Sequence, residues 1–483
     1  MVGIVRGVAK NSLAMGLVQV LSQISTLILA MVLSRSLGPD YTIYTSAFSV
    51  ATVLFLLSDF GLGFKMVIDI APKKELASRQ LALTVAARGL LGGVALLLTL
   101  AFVLLQNLPA TVAFAFLIVA LSTACSWIAQ TFASLFTAFE RMHYVLMTSM
   151  VERIFTVSIC IVLALQGFGL EAILIVVLAG SVLYVVLSYI ICAKLIAKPA
   201  WDVSFSKIWA ELKEAIPYAI TTALNSTMYA MNGFLLLMIV WSLHGLEAGT
   251  FANTEFYIAF NLVVALIAIP SVFRTALLPV ITRLFYSSPE LTRHAQQKVA
   301  KYMFSLGLPL TLGGIVLSNE IIGLLFPNYP NSAAVLCVLL PVLAISYFGT
   351  GQGTVLASAK LMPLNTFSAV VGAAVNLLCC LAAIPYLGAL GAALAFTVAT
   401  FVTNGITYYY MTKRLFKLDL SEILLRPTLA GVGMVAILIL ISGTDLLISL
   451  AVGAASYFAL LYLLGAIDQE DTDIINKVLG KGA

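Results

Sequence analysis

The sequence predicts an all-α polytopic membrane protein of about 14 transmembrane helices. They form two six-helix lobes related by a pseudo-two-fold axis along the membrane normal, plus two extra C-terminal helices. Three observations predict this class. Hydrophobic residues make up 61% of the 483 positions and charged residues only 10%, against roughly 25% charged in an ordinary soluble domain. Apolar runs of about 20 residues, the length that crosses a bilayer as a helix, recur throughout, and the mean hydropathy is +1.07. The two halves also match one another. LSRSLGPDYTIYTSAF around Gly38 falls on VWSLHGLEAGTFANTE around Gly245, a shift of 207 residues from Gly38 to Gly245.

Gly, Pro, Asn and charged residues divide the apolar runs. The first span, 11–34, lacks a small-residue cleavage site and is long enough to cross, so it reads as a retained helix. The second, 42–66, carries Asp59, and Gly61 and Gly63 loosen it near its inner end. Spans 81–105, 110–137, 143–165 and 170–193 complete the first set. In the linker that follows, Phe205, Ile208, Trp209, Leu212 and Ile216 recur at helical spacing. That pattern fits an amphipathic helix on the membrane surface, or a cytoplasmic extension of the seventh span ending at Pro217. The second set runs over 216–242, 250–276, 295–318, 333–357, 362–385 and 389–411. Its later part echoes the first set again, with GFGLEAILIVVL near Gly169 resembling YLGALGAALAFTV near Gly388; the extra residues sit around 285–293 and 319–332. Spans 427–442 and 446–466 have no counterpart in the first half. The expected domains are therefore an N-lobe, 1–198; a linker, 199–215; a C-lobe, 216–415; the two appended helices within 416–466; and a cytoplasmic tail, 467–483.

Charge tests this layout. With the N-terminus inside, the inner loops collect Arg6, Lys10, Lys73, Lys74, Arg79, Arg141, Lys194 and Lys198, then Arg283, Arg293, Lys360, Lys413, Arg414, Arg426 and Lys477 among others. The outer loops keep essentially Arg35 alone, at a helix end. Such asymmetry is the positive-inside rule, and a missed span would scramble it, so both termini are expected in the cytoplasm of a multi-pass cell-membrane protein. Six spans per repeat is an even number, so both repeats enter from the same side and the relating axis lies along the membrane normal. The net charge of +5 then reflects loops over an anionic leaflet and implies no nucleic acid.

A membrane protein built from two like halves usually keeps its binding site between them, which points towards a transporter. Catalysis is not expected. There is no GxxxxGK[ST] loop, no HExxH and no Cys/His cluster, and no outer loop is long enough to carry catalytic groups. The six cysteines all fall inside predicted spans and read as free, buried thiols.

What remains is a small set of ionisable groups inside spans, each costing about 2.5–3.5 kcal/mol at the bilayer centre and so needing a polar cavity or a partner. Arg153, well inside the fifth span, is an anion contact or half of a structural pair. Glu152 precedes it; adjacent residues project about 100° apart on a helix, so the two are not expected to point straight into one cavity. Arg88 in the third span is an anion contact or snorkels to the inner surface. Asp59 is a coupling carboxylate or the partner of Arg88. Glu255, a turn or so inside the eighth span, lines an outward cavity or is simply solvated. Arg35 and Arg274 are head-group contacts or interfacial anchors. For Gln19, Gln23, Asn225, Asn232, Asn376 and Asn404, helix-to-helix hydrogen bonds serve as well as substrate contacts.

The run LSRSLGPDYTIYTSAFSVATVLFLLSDFGLGFKMVIDIA resembles the signature of polysaccharide-exporter (Wzx-type) flippases, which place an arginine and an LGP turn after the first helix and a DFGL stretch in the second. LKEAIPYAITTALNSTMYAMNGFLLLMI is similar to the start of that family's second lobe, and the whole layout resembles the MOP (MATE/MurJ-like) superfamily. The resemblance implies a flippase that moves a lipid-linked (polyprenyl-diphosphate) oligosaccharide or polysaccharide repeat unit across the cytoplasmic membrane by alternating access. The tail would stay in lipid. It makes Arg153, Arg88, Arg35 and Arg274 the candidates for the diphosphate or an acidic sugar, and Asp59, Glu152 and Glu255 the candidates for Na+ or H+ coupling or for charge pairs. The partners implied are the lipid-linked saccharide, membrane lipid, and glycan polymerase or glycosyltransferases, with no cofactor, metal or catalytic residue. The alternatives are a cation-coupled MATE-like multidrug exporter, a peptidoglycan-precursor lipid flippase, and a non-transporting scaffold for glycan enzymes. Peptidoglycan-precursor flippases carry several arginines in their first and eighth helices. This sequence has none in the first span before Arg35 and only Arg274 in the eighth.

Overall fold

Long apolar runs have one open-ended solution in hydrocarbon, the helix, because each backbone amide must find its partner within the segment. A computed structural model describes residues 2–201, 203–441 and 443–466. The expected tail, 467–483, lies outside the described residues, as do the side chains of Arg6, Lys10, Asn225 and Arg283. Among the described residues the chain is all helical and forms no strand. In order come α1 (Val2–Ser36), α2 (Asp40–Asp59), α3 (Leu62–Ile70), α4 (Ala77–Leu105), α5 (Ala110–Ala138), α6 (Met142–Leu165) and α7 (Leu170–Leu195). Then follow α8 (Phe205–His244), α9 (Leu246–Ser287), α10 (Pro289–Val316), α11 (Ser318–Leu325), α12 (Ser332–Leu339), α13 (Pro341–Phe348) and α14 (Gln352–Ser358). Four more close the chain: α15 (Met362–Leu387), α16 (Ala389–Arg414), α17 (Arg426–Leu440) and α18 (Leu446–Leu463). Among the described residues 11 stretches are long and apolar enough to cross a membrane. The further expected spans fall on α1, on α2 with α3, and on α8, so about 14 crossings are compatible with the structure.

Three elements differ in detail from the expectation. The second span is broken outright, since Phe60 (φ 41°) and Gly61 (φ 66°) both turn left-handed between α2 and α3. The tenth is three short helices, with Pro341 opening α13 and Gly351 (φ 86°) before α14. The linker helix is part of α8, which Ser204 caps by accepting from the Lys207 amide and which runs unbroken across position 217. Its apolar residues divide two ways. Leu212 and Ala215 are buried against Leu62 and Ala87, with Ile208 beside them, while Phe205, Trp209 and Ile216 stay exposed. One side of this segment thus packs on α3 and α4, and the other keeps an exposed apolar face.

The helices group into two units. One holds α1–α8, α9 to Val272, and Ala369–Ala399 of α15 and α16; the other holds the rest of α9, α15 and α16 with α10–α14, α17 and α18. In the first, α5 packs against α7, α4 and α2, and α6 packs against α1 and α7. Met66, Leu81, Phe132 and Phe136 form its largest described cluster of buried side chains. In the second, α10 packs against α13 and α17. The appended helices close on Leu317 through Met434, Leu438 and Tyr457, and the Tyr457 hydroxyl donates to the Ser305 carbonyl at 2.9 Å.

The repeat seen in the sequence has a structural counterpart inside the first unit. Gly38 (φ 57°) and Gly245 (φ 90°), the matched glycines, both take positive φ, which costs little only without a Cβ. Further along α2 and α9, Thr45 and Thr254 share a hydroxyl hydrogen bond at 2.6 Å, and Ser49 donates to Asn253 at 3.1 Å. The Asn253 amide also reaches Ser46 at 3.4 Å, and these two residues are 207 apart, the repeat shift itself.

Candidate functional site

The DFGLG run shapes the first wall of the site. Asp59 ends α2, where the exposed carbonyls of the last turn disfavour a carboxylate unless a cation answers it. Arg88 of α4 supplies that cation, its Nη2 donating to Asp59 Oδ1 at 2.6 Å. The same guanidinium donates through Nη1 to Thr131 Oγ1 at 2.9 Å and to the Trp127 carbonyl at 3.1 Å, and lies 5.7 Å from the centre of the Trp127 ring. The Arg88 side chain is 2% exposed and that of Asp59 20%, so the pair is close to neutral and largely out of solvent. Arg88 therefore does not snorkel. A Cβ on Gly63 would stand 2.7 Å from Arg88 Nη2 and 2.8 Å from Ser134 Oγ, so α3 rests directly on the guanidinium because residue 63 is glycine.

This pair lines a cavity of about 490 Å³ whose other walls come from α1, α3, α5, α6 and α7. Glu152 and Arg153 of α6 both line it, although adjacent residues are not expected to point straight into one cavity. The cavity is wide, and two long side chains bridge the roughly 100° between their Cα directions. Arg153 Nε stands 3.7 Å from Glu152 Oε2, beyond hydrogen-bond length, and its side chain is 40% exposed. Glu152 is held from its other oxygen, which accepts from Thr156 Oγ1 at 3.2 Å. The cavity thus contains one tightly clamped arginine and one loosely paired arginine.

The remaining candidates lie elsewhere. Arg35 is exposed at the end of α1, and Arg274 is exposed on α9 in the other unit. Glu255 is buried on α9 beside Asn253 and Thr254. None of the three lines this cavity. Several neutral polar residues join helices, as one reading of them expected. Asn232 accepts from Asn376 and from the Cys380 thiol, each at 2.9 Å, and Gln19 accepts from Ser271 at 2.9 Å.

Sequence reasoning missed two groups. Gln130, Ser134 and Thr137 of α5 line the cavity, with Tyr184 of α7 and Ser149 of α6. The signal was present, because spacings of four and three place the α5 trio along one helical stripe. The second group is Lys65, only 5% exposed, which gathers Asp69 (2.8 Å), Glu211 (2.9 Å) and Glu214 (3.2 Å) and so ties α3 to the start of α8. Gln80 of α4 also donates to Glu211, at 2.5 Å.

No curated protein matches the sequence. Solved structures match the fold. The lipid II flippase MurJ in an inward closed conformation superposes with a TM-score of 0.74 at 14% identity, covering 96% of this chain and 98% of its own. An inward-facing MATE-family multidrug resistance transporter of the MOP superfamily gives 0.62 at 12%, covering 84% and 98%. A Vibrio cholerae MATE transporter gives 0.57 at 13%, covering 85% and 98%. At these identities the likeness establishes the fold, which is that of MOP-superfamily flippases and transporters. The sequence pattern of one family spans residues 8–285, more than half of the chain and the whole of the cavity just described, so the chain belongs to the polysaccharide biosynthesis protein family.

Proposed function

We propose that this multi-pass membrane protein is a flippase that carries a polyprenyl-diphosphate-linked oligosaccharide, or a polysaccharide repeat unit, across the cell membrane by alternating access. The observation that carries this reading is the asymmetry between the two cavity arginines. A diphosphate wants charge-assisted donors in a low-dielectric pocket. Arg88 already commits both terminal nitrogens to Asp59, Thr131 and Trp127, which leaves only its buried Nε without a partner. Arg153, with a partner at 3.7 Å and substantial exposure, is the group able to turn to an arriving anion. Glu152 is the carboxylate placed beside that anion site and is our candidate for exchanging Na+ or H+ during the cycle. Asp59 is engaged by Arg88, and Glu255 lies outside the cavity.

The proposal includes six-helix lobes over 1–198 and 216–415, both termini in the cytoplasm, and supply and use of the substrate by glycosyltransferases and a glycan polymerase. Arg35 and Arg274 are then secondary head-group contacts along the route. Reconstitution in liposomes with a fluorescent polyprenyl-diphosphate saccharide and a leaflet-selective quencher tests it. Arg153→Gln is expected to lower translocation about tenfold or more, since a hydrogen bond to a charged group contributes about 1.5–3 kcal/mol. Wild-type rates from Arg153→Gln, with normal insertion, would overturn the assignment.

A further inference from the structure

We infer, building on the flippase reading, that the α5 stripe of Gln130, Ser134 and Thr137, with Ser149 facing it from α6, is the saccharide subsite of the cavity and contacts sugar hydroxyls while Arg153 holds the diphosphate. The argument is one of hydrogen-bond polarity. Ser134 donates its hydroxyl proton to the Gln130 carbonyl at 3.0 Å, Thr137 to the Ala133 carbonyl at 2.9 Å, and Ser149 to the Val145 carbonyl at 2.7 Å. With their protons committed to backbone, all three oxygens face the cavity as acceptors. Hydroxyl oxygens whose protons are so committed accept from groups that arrive as donors. Sugar hydroxyls are such groups.

Gln130 adds the complementary function. It is exposed to the cavity, and among the described residues its side-chain amide has no protein partner. It therefore offers two N–H donors and a carbonyl acceptor to a ligand that presents both kinds of group. Its place in the helix sharpens the point. Gln130 lies eight positions before the end of α5 at Ala138, a depth of about 12 Å at helical rise, too far in to be solvated as part of a loop. An unpartnered amide at that depth is costly in hydrocarbon. A cavity that admits hydroxyl groups removes that cost.

The division of labour is chemical. The cavity combines a loosely paired cation, Arg153, with hydroxyl acceptors and the neutral amide of Gln130. A ligand matching both is an anion joined to a neutral polyol.

The test uses purified wild-type protein and the variants Gln130→Leu and Ser134→Ala, with binding measured to two probes. One is bare undecaprenyl diphosphate; the other is undecaprenyl diphosphate carrying a di-N-acetylhexosamine. Wild type is expected to bind the glycolipid more tightly than the bare lipid. Gln130→Leu should remove about 2- to 10-fold of that preference, the effect of one lost neutral hydrogen bond, and Ser134→Ala should remove a similar factor. Both variants should bind bare undecaprenyl diphosphate as wild type does, which also reports that they are folded. Arg153→Gln should weaken both probes equally. If wild type binds the two probes alike, or if the α5 variants weaken both equally, the saccharide subsite is not on this wall, although the flippase reading survives. If wild type binds neither probe, the flippase reading itself falls.

Discussion

At the scale of residues, the sequence located the charges better than it located their partners. An ionisable side chain in an apolar span is conspicuous because it is expensive, so Asp59, Arg88, Glu152 and Arg153 could be singled out one by one. Which groups meet depends on how the helices pack, and no local pattern encodes that. Arg88 reaches Asp59 across the α2–α4 contact, and Glu152 joins Arg153 in one cavity against the simple projection rule. Gln130 stayed hidden for the opposite reason, since a neutral amide among Ala, Ser and Thr carries no comparable penalty to draw notice. The clamped pair makes a stability prediction. Asp59→Ala leaves a buried guanidinium without its counter-charge and should cost about 3–5 kcal/mol, read as a large drop in thermal unfolding temperature in detergent. Adding Arg88→Met should recover most of that loss, because an apolar pair of similar size needs no compensation. A double variant no more stable than the single one would mean that shape, not charge, holds this corner together.

At the scale of elements, helix positions followed from hydropathy, and their interruptions did not. The break at Phe60 and Gly61 was hinted at by glycines, yet a left-handed phenylalanine has no sequence signature. The start of α8 was readable as helix, but not which of its faces would be covered, since that choice rests on Leu62 and Ala87 in distant segments. The contact that fixes α8 to α3 is the buried Lys65–Glu211 pair, 2.9 Å apart with both side chains nearly excluded from solvent. Lys65→Glu and Glu211→Lys are each expected to destabilise the protein. Combined, they should restore about 1–3 kcal/mol through their coupling, measured as a double-mutant cycle of unfolding free energy. A coupling near zero would assign the anchoring of α8 to its apolar contacts alone.

At the scale of the whole molecule, composition and loop charge were enough for the all-helical polytopic class, because the bilayer permits so few alternatives. The match between halves was legible because it centres on a turn glycine in each, and both Gly38 and Gly245 take positive φ. The hydroxyl and amide contacts of α2 with α9 lie on residues near those turns, and the alternating access proposed above predicts that they break in each cycle. Cysteines at both Ser46 and Asn253 should cross-link on oxidation or with a short bifunctional thiol reagent. Translocation should then stop and return on reduction, while each single cysteine variant stays active. Unimpaired transport in the cross-linked protein would show that these helices need not separate.

The Ser46–Asn253 contact also carries a chemical asymmetry. Position 46 and the position one repeat shift later touch each other, yet one offers a hydroxyl and the other an amide. Two matched segments therefore meet through unlike groups, and the contact has a direction, amide to hydroxyl, that a pair of identical side chains would lack.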